Sequence, residues 1–179
     1  MYSAIARSVL AIGLLAGGLV RGEGLAPGVK AIVLPGAPSP AGMDYLAYDP
    51  ARDRVWVPAG NTGTVEGRIR AVEGFRTEKR HVQRQVHGAE RTVGPSSAAV
   101  GPDAVYVGNR ADATVCAVDA VTLARRGCAT LPGAPDGLAY VAPASEVWAT
   151  VPSKSAIVAL DPASLRVEAT LSLDGKPEG

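Results

Sequence analysis

Val105-Tyr106-Val107, Val115-Cys116-Ala117-Val118-Asp119, Thr122-Leu123 and Leu131-Pro132-Gly133-Ala134-Pro135-Asp136-Gly137 are followed, in the same order, by a second set. That set is Val147-Trp148-Ala149, Ile157-Val158-Ala159-Leu160-Asp161, Ser164-Leu165 and Leu173-Asp174-Gly175-Lys176-Pro177-Glu178-Gly179, offset by 42 residues throughout. One period held across four separate short runs is the mark of a repeat architecture, and it outranks the other local signals.

The same unit begins once more upstream. Leu34-Pro35-Gly36-Ala37-Pro38 repeats Leu131 to Pro135 letter for letter, and Asp44-Tyr45-Leu46-Ala47-Tyr48 matches Asp136-Gly137-Leu138-Ala139-Tyr140. Ser96-Ser97-Ala98-Ala99-Val100 takes that place in the middle unit. A second strand follows in each: Val55-Trp56-Val57, Val105-Tyr106-Val107, Val147-Trp148-Ala149. Val65, Val115 and Ile157 open a third, and Cys128-Ala129-Thr130-Leu131 and Ala169 to Leu173 form a fourth. Four short strands per unit, separated by Gly, Pro, Asp and Ser, predict an all-β chain of β-propeller blades rather than a β-sandwich.

The residues suit that geometry. Small Ala47, Ala99 and Ala139 belong to the first strand, nearest the axis where blades crowd. Trp56, Tyr106 and Trp148 supply flat, bulky side chains to fill the wider gap between sheets. Asp119 and Asp161 each stand three residues before Thr122 and Ser164, the placement of a carboxylate that accepts backbone N–H bonds in a turn. Three blades start near Asp44, Ser96 and Asp136, within a domain spanning residues 29–179. Closed propellers hold about four to eight blades, so the ring is expected to be incomplete, with the missing blades coming from the rest of a longer chain. Ile32-Val33-Leu34 reads as the outer strand of one of them. In the first blade Glu66-Gly67-Arg68-Ile69-Arg70 replaces the alternating third strand, which predicts an incomplete or shifted sheet there.

Composition agrees. Gly 21 and Pro 14 suit many tight turns, and Lys+Arg 18 against Asp+Glu 17 leaves no global field to draw nucleic acid or an anionic surface. The apolar run from Val9 to Val20 is too short to span a bilayer but fits the core of a secretory signal over residues 1–22. A buried strand or helix and an anchored tail are the competing readings. Export places the domain in the periplasm or outside the cell.

Val105-Tyr106-Val107-Gly108-Asn109, then Thr114 to Asp119, then Leu131 to Ala139 resemble the YVTN repeat of YncE-like and lactonase-like seven-bladed β-propellers. The resemblance runs from about Ala31 to the end. It rests on structural residues: the aromatic strand, the Asn turn, the Asp turn and the Gly/Pro loop. It implies an exported or surface protein, with some relatives resembling sugar-lactone hydrolases and one group implicated in DNA binding.

Four groups of residues are candidates for chemistry. Cys116 and Cys128 lie six residues either side of Thr122 on adjacent strands, which puts them opposite each other. A structural disulfide is the favoured reading over two buried thiols. Asp44, Asp136 and Glu178 occupy equivalent positions at the start of inner strands, where blades approach the channel mouth. Converging oxygens there suit a Ca²⁺ or Mg²⁺ ion in a metal-assisted lactonase; capping of the local turns is the plainer alternative. Arg76, Lys79, Arg80, Arg84 and Arg91 fill a basic insertion, residues 76–91, that predicts a solvated rim loop or short helix within the first blade and, at most, an anion site. No aromatic interleaves it, which argues against nucleic acid. His81 and His87 in that run lack a third ligand at zinc spacing.

No nucleotide-binding loop, nucleophile elbow or zinc-protease motif is present. The sequence therefore favours an exported binding module for an undetermined protein or small-molecule ligand, without catalytic residues or a resident cofactor. The metal-dependent lactonase is the alternative.

Overall fold

The computed structural model describes residues 34, 41–62, 64–67, 70–84 and 87–178, with 64–67, 70, 82–84 and 87–89 described by backbone alone. The expected signal segment lies outside these residues, as does the strand at Ile32-Val33-Leu34 apart from Leu34, which is in no strand.

Blade 1 comprises β1 (Ala47–Asp49), β2 (Arg54–Ala59), β3 (Thr64–Gly67) and β4 (Arg70–Val72). A hairpin of β5 (Glu78–Arg84) and β6 (His87–Val93) follows. Blade 2 holds β7 (Pro95–Val100), β8 (Ala104–Asn109), β9 (Thr114–Asp119) and β10 (Arg125–Thr130). Blade 3 holds β11 (Leu138–Val141), β12 (Glu146–Val151), β13 (Ala156–Leu160) and β14 (Val167–Ser172). Each blade is a four-stranded meander in which every strand pairs antiparallel with the next. The described residues thus form an all-β arc of three propeller blades.

Two expectations need correction. Blade 1 is complete, because Val65↔Val72, Glu66↔Ala71 and Gly67↔Arg70 pair despite the missing alternation. Its outer strands are shortened to four and three residues. Within the span 76–91, residues 78–84 and 87–91 are in strands, not in a loop or helix, and they do not interrupt blade 1. They build the β5–β6 hairpin between blades 1 and 2, in register from Glu78↔Val93 to Arg84↔His87.

The core lies between sheets, and strand alternation decides which residue meets which neighbour. Trp56, fully buried, leaves blade 1 on the side facing blade 2 and packs in one cluster with Val105, Val107, Cys116 and Val118. Tyr106 leaves blade 2 on its opposite side and packs with Val147, Ala149, Val151 and Val158 of blade 3. Each fully buried side chain of this size contributes about 1.5–3 kcal/mol relative to exposure. Strand β8, between two neighbours, is buried at every position. Ala99 is buried as an inner-strand alanine should be, whereas Ala139 of blade 3 is exposed.

Polar contacts tie the blades together at one end. The Arg52 guanidinium donates to the Pro102 carbonyl at 2.8 Å and that of Arg54 to Ala120 at 2.6 Å. From blade 2 to blade 3, the Tyr106 hydroxyl donates to the Pro162 carbonyl at 3.1 Å. The repeated turns form as the spacing requires. Asp119 Oδ1 accepts from the amides of Val121 and Thr122, and Asp161 Oδ1 from the amide and hydroxyl of Ser164. Even the backbone repeats: Leu123 and Leu165 both take positive φ, 66° and 58°, a conformation that costs a leucine about 1–2 kcal/mol.

Candidate functional site at the channel mouth

At the end opposite those inter-blade bonds, the loops that open the inner strands converge. Asp44 precedes β1 and Asp136 precedes β11, and each is fixed by its backbone. Next to Asp44, the Tyr45 amide donates to the Ser96 carbonyl at 3.0 Å; the Asp136 amide itself donates to the Thr150 carbonyl at 2.9 Å. Gly137 adds a bond from its amide to Thr150 Oγ1 at 2.8 Å. These contacts aim both carboxylates at the same place, although the acids belong to blades 1 and 3.

The group that receives them is Arg110, which directly follows β8 of blade 2. Its Nη1 lies 2.8 Å from Asp44 Oδ2, and its Nη2 pairs with Asp136 Oδ1. One planar guanidinium thus serves two carboxylates, using the fork of donors that lysine lacks. Asp136 is the most enclosed member, its side chain 11% exposed, with Arg110 at 24% and Asp44 at 33%. Arg110 is anchored in turn by the neighbouring chain: its amide donates to the Gly94 carbonyl, and its own carbonyl accepts from Arg80 Nη2 at 2.9 Å. Asn109, buried beside it, donates to the Arg76 carbonyl and accepts the Ala111 amide.

A cavity of about 280 Å³ opens on one side of Arg110, walled by Pro135, Asp136, Pro152, Ser153 and Glu178. Arg91, Thr92 and Asn61 stand on the other side, next to Asp44. Of the three acids expected to converge, the structure brings two together directly. Asp44 and Asp136 share a partner, and Glu178 is exposed in the adjoining cavity.

This arrangement does not fit a resident Ca²⁺ or Mg²⁺ ion. A guanidinium already stands between the two innermost carboxylates, and its charge would repel a divalent cation at that point. Among the described residues no three His, Cys, Asp or Glu side chains are grouped at metal-binding distance. Arg110 carries no repeat signature in the sequence, since Gly60 and Pro152 hold the corresponding place in blades 1 and 3. The only available signal was that it breaks the repeat.

The remaining candidates lie elsewhere. Cys116 and Cys128 are directly opposite each other in the β9–β10 ladder and form a disulfide. The basic residues are not gathered into one site. Arg80 and Arg91 face each other across the hairpin, while Lys79 pairs with Thr92 in register and so lies on the other face. Arg80 is within 3.0 Å of Glu78, and Lys79 within 3.7 Å of Glu90, so acidic neighbours offset part of the charge. Arg76 precedes the hairpin; the side chain of Arg84 lies outside the described residues. Among the described residues no helix is long and apolar enough to cross a membrane.

No protein-family model matches the sequence, and no curated protein matches it either. Solved structures do resemble the fold. Hydrazine synthase of Kuenenia stuttgartiensis superposes with a TM-score of 0.59 at 12% identity, over 89% of this chain and 40% of that one. The WD40 repeats of RRP9 give 0.57 at 12% identity, over 79% and 42%, and AztD of Citrobacter koseri gives 0.53 at 14%, over 86% and 39%. The chain spans about two fifths of the length of each of these structures. At such identities the likeness is one of fold.

Proposed function

We propose that the chain is an exported β-propeller binding module, of the YncE-like kind that its repeats resemble, and that it engages a protein or small-molecule ligand at the channel mouth. The observation that carries this reading is the Asp44–Arg110–Asp136 array beside an open cavity bearing Glu178. Between their sheets the blades meet through apolar contacts, and convergent charged groups from different blades next to a cavity are the feature expected of a ligand site. The cavity side of this array carries Asp136 and Glu178, which favours a ligand presenting an ammonium or guanidinium group. Export is supported by the apolar N-terminal run and by the disulfide, which persists in oxidising compartments.

The lactonase alternative needs a metal among Asp44, Asp136 and Glu178, and Arg110 stands where two of its ligands meet. Isothermal titration of the purified chain with a panel of polyamines, basic peptides and sugar lactones tests the reading. Binding without turnover, lost in Asp136→Ala, is the expected result. Hydrolysis of a sugar lactone that stops on chelation would overturn it.

A further inference from the structure

The hairpin brings a second cation to the channel mouth. Arg80 and Arg91 are directly opposite each other in the β5–β6 ladder, and like charges so placed destabilise a strand pair. Arg80 is occupied: it meets Glu78 at 3.0 Å and donates to the Arg110 carbonyl at 2.9 Å. Among the described residues no carboxylate pairs with Arg91. Arg91 instead lines a small recess together with Asp44, Thr92, Ser96 and Arg110. With a volume of about 30 Å³, the recess has room for roughly two water-sized groups, such as the two oxygens of one carboxylate.

Arg110 is the wall that this recess shares with the cavity of Asp136 and Glu178. The two sides differ in polarity. On the hairpin side two guanidiniums, Arg91 and Arg110, stand against the one carboxylate of Asp44. On the cavity side two carboxylates, Asp136 and Glu178, stand against the one guanidinium of Arg110. Regions of opposite sign on either side of one side chain are complementary to a ligand that carries both signs, whereas a purely cationic ligand leaves Arg91 uncompensated. The head group of a free α-amino acid holds a carboxylate and an ammonium on one carbon, which matches Arg91 beside Asp44. Asp44 directs Oδ2 to Arg110 and stays partly exposed, and a carboxylate has acceptor sites for more than one donor.

We propose that the ligand of the channel mouth is a free basic α-amino acid. Its carboxylate pairs with the Arg91 guanidinium, its α-ammonium lies at Asp44, and its side chain passes Arg110 to bring the terminal cation beside Asp136 and Glu178. Arg91 is then a specificity-determining residue, since its planar fork is suited to two parallel bonds with a carboxylate. The hairpin, which stands outside the three blades, supplies that half of the site. The inference rests on the binding reading above and narrows its ligand to one that bears a carboxylate as well as a cation.

Calorimetric titration of the full chain with L-arginine and with agmatine, which lacks only the carboxylate, tests this. Both should bind, and L-arginine should bind about tenfold more tightly or better, as one added charge-assisted pair implies. Arg91→Met should weaken L-arginine to the level of agmatine and leave agmatine unchanged, and Arg91→Lys should restore part of the preference. Arg91 is exposed on the hairpin, so both variants should keep the wild-type far-ultraviolet dichroism spectrum. Equal affinity of the wild type for the two ligands would overturn the inference and leave the cation site standing. Equal weakening of both ligands by Arg91→Met would do the same. If neither ligand binds, the inference and the cation site on which it rests both fall.

Discussion

Asp44 and Asp136 open the inner strands of blades 1 and 3, and both pair with the single guanidinium of Arg110 on blade 2. Three blades are therefore joined through one side chain. The array is partly enclosed, so its bonds are stronger than those of a surface pair, and loss of the cation leaves two carboxylates facing each other.

Arg110→Met should lower the unfolding free energy by about 1.5–3 kcal/mol, the range for hydrogen bonds to charged groups. Asp44→Asn should cost less, because Arg110 keeps the more enclosed Asp136. Urea unfolding of the two variants checks the order. Equal stability of Arg110→Met and wild type would show that the array is energetically idle.

The Cys116–Cys128 bond joins the outer strand of blade 2 to the strand beside it and closes a loop with a sequence separation of 12. By loop entropy, replacing both cysteines with alanine should cost about 2–3 kcal/mol. A thiol reductant should shift the wild-type urea midpoint to that of the double variant and leave the variant unmoved.

Asp119 is held well below the usual carboxylate range, chiefly by the Thr122 amide, then by the Arg126 guanidinium and the Val121 amide. A carboxyl whose folded value is depressed contributes stability that is complete above its unfolded value, about 3.9, and is lost as pH falls below it. Asp161, lowered through Ser164, acts in the same direction. Acid unfolding curves should be steeper below about pH 4 for the wild type than for Asp119→Asn.

Tyr106 titrates in the opposite sense. Burial, with a smaller contribution from the nearby Asp103 charge, pushes its hydroxyl up to about 12. The neutral phenol is the favoured form in the folded chain. Its contribution is therefore complete below the unfolded value near 10 and disappears as pH rises through the folded one. Ultraviolet titration should show a late ionisation step that Tyr106→Phe removes. That variant also loses the bond to the Pro162 carbonyl, so its stability below pH 9 should fall by about 1 kcal/mol.

The blades could be read from the sequence because their determinants are local and repeated. Trp56, Tyr106 and Trp148 mark the second strands and Asp119 and Asp161 the turns, the last two units standing 42 residues apart. The hairpin could not be read in this way. Glu78 to Arg84 is nearly all charged or polar and shows no apolar alternation, and Gln85-Val86 gives no turn signal. Its strands pair with each other, and the described side chains at 78–81 and 90–93 are exposed or half-buried. The same limit applied at the channel mouth. Asp44 and Asp136 were visible as equivalent acids, but the residue that brings them together appears once in the chain and comes from the blade between them.

The position of blade 2 also sets an order in time. Its central strands, β8 and β9, have a neighbour on both sides, with Val105, Val107, Val115 and Val118 all at 0% exposure. Amides there can exchange with solvent only when a flanking blade lifts away, so they should be the last to take up deuterium. The short β3–β4 pair of blade 1, at the edge of the arc, should exchange first. The slowest protons of the molecule would then report on the seams between blades, and any partner that covers the outer faces of blades 1 and 3 would extend that slow class outward into β2 and β12.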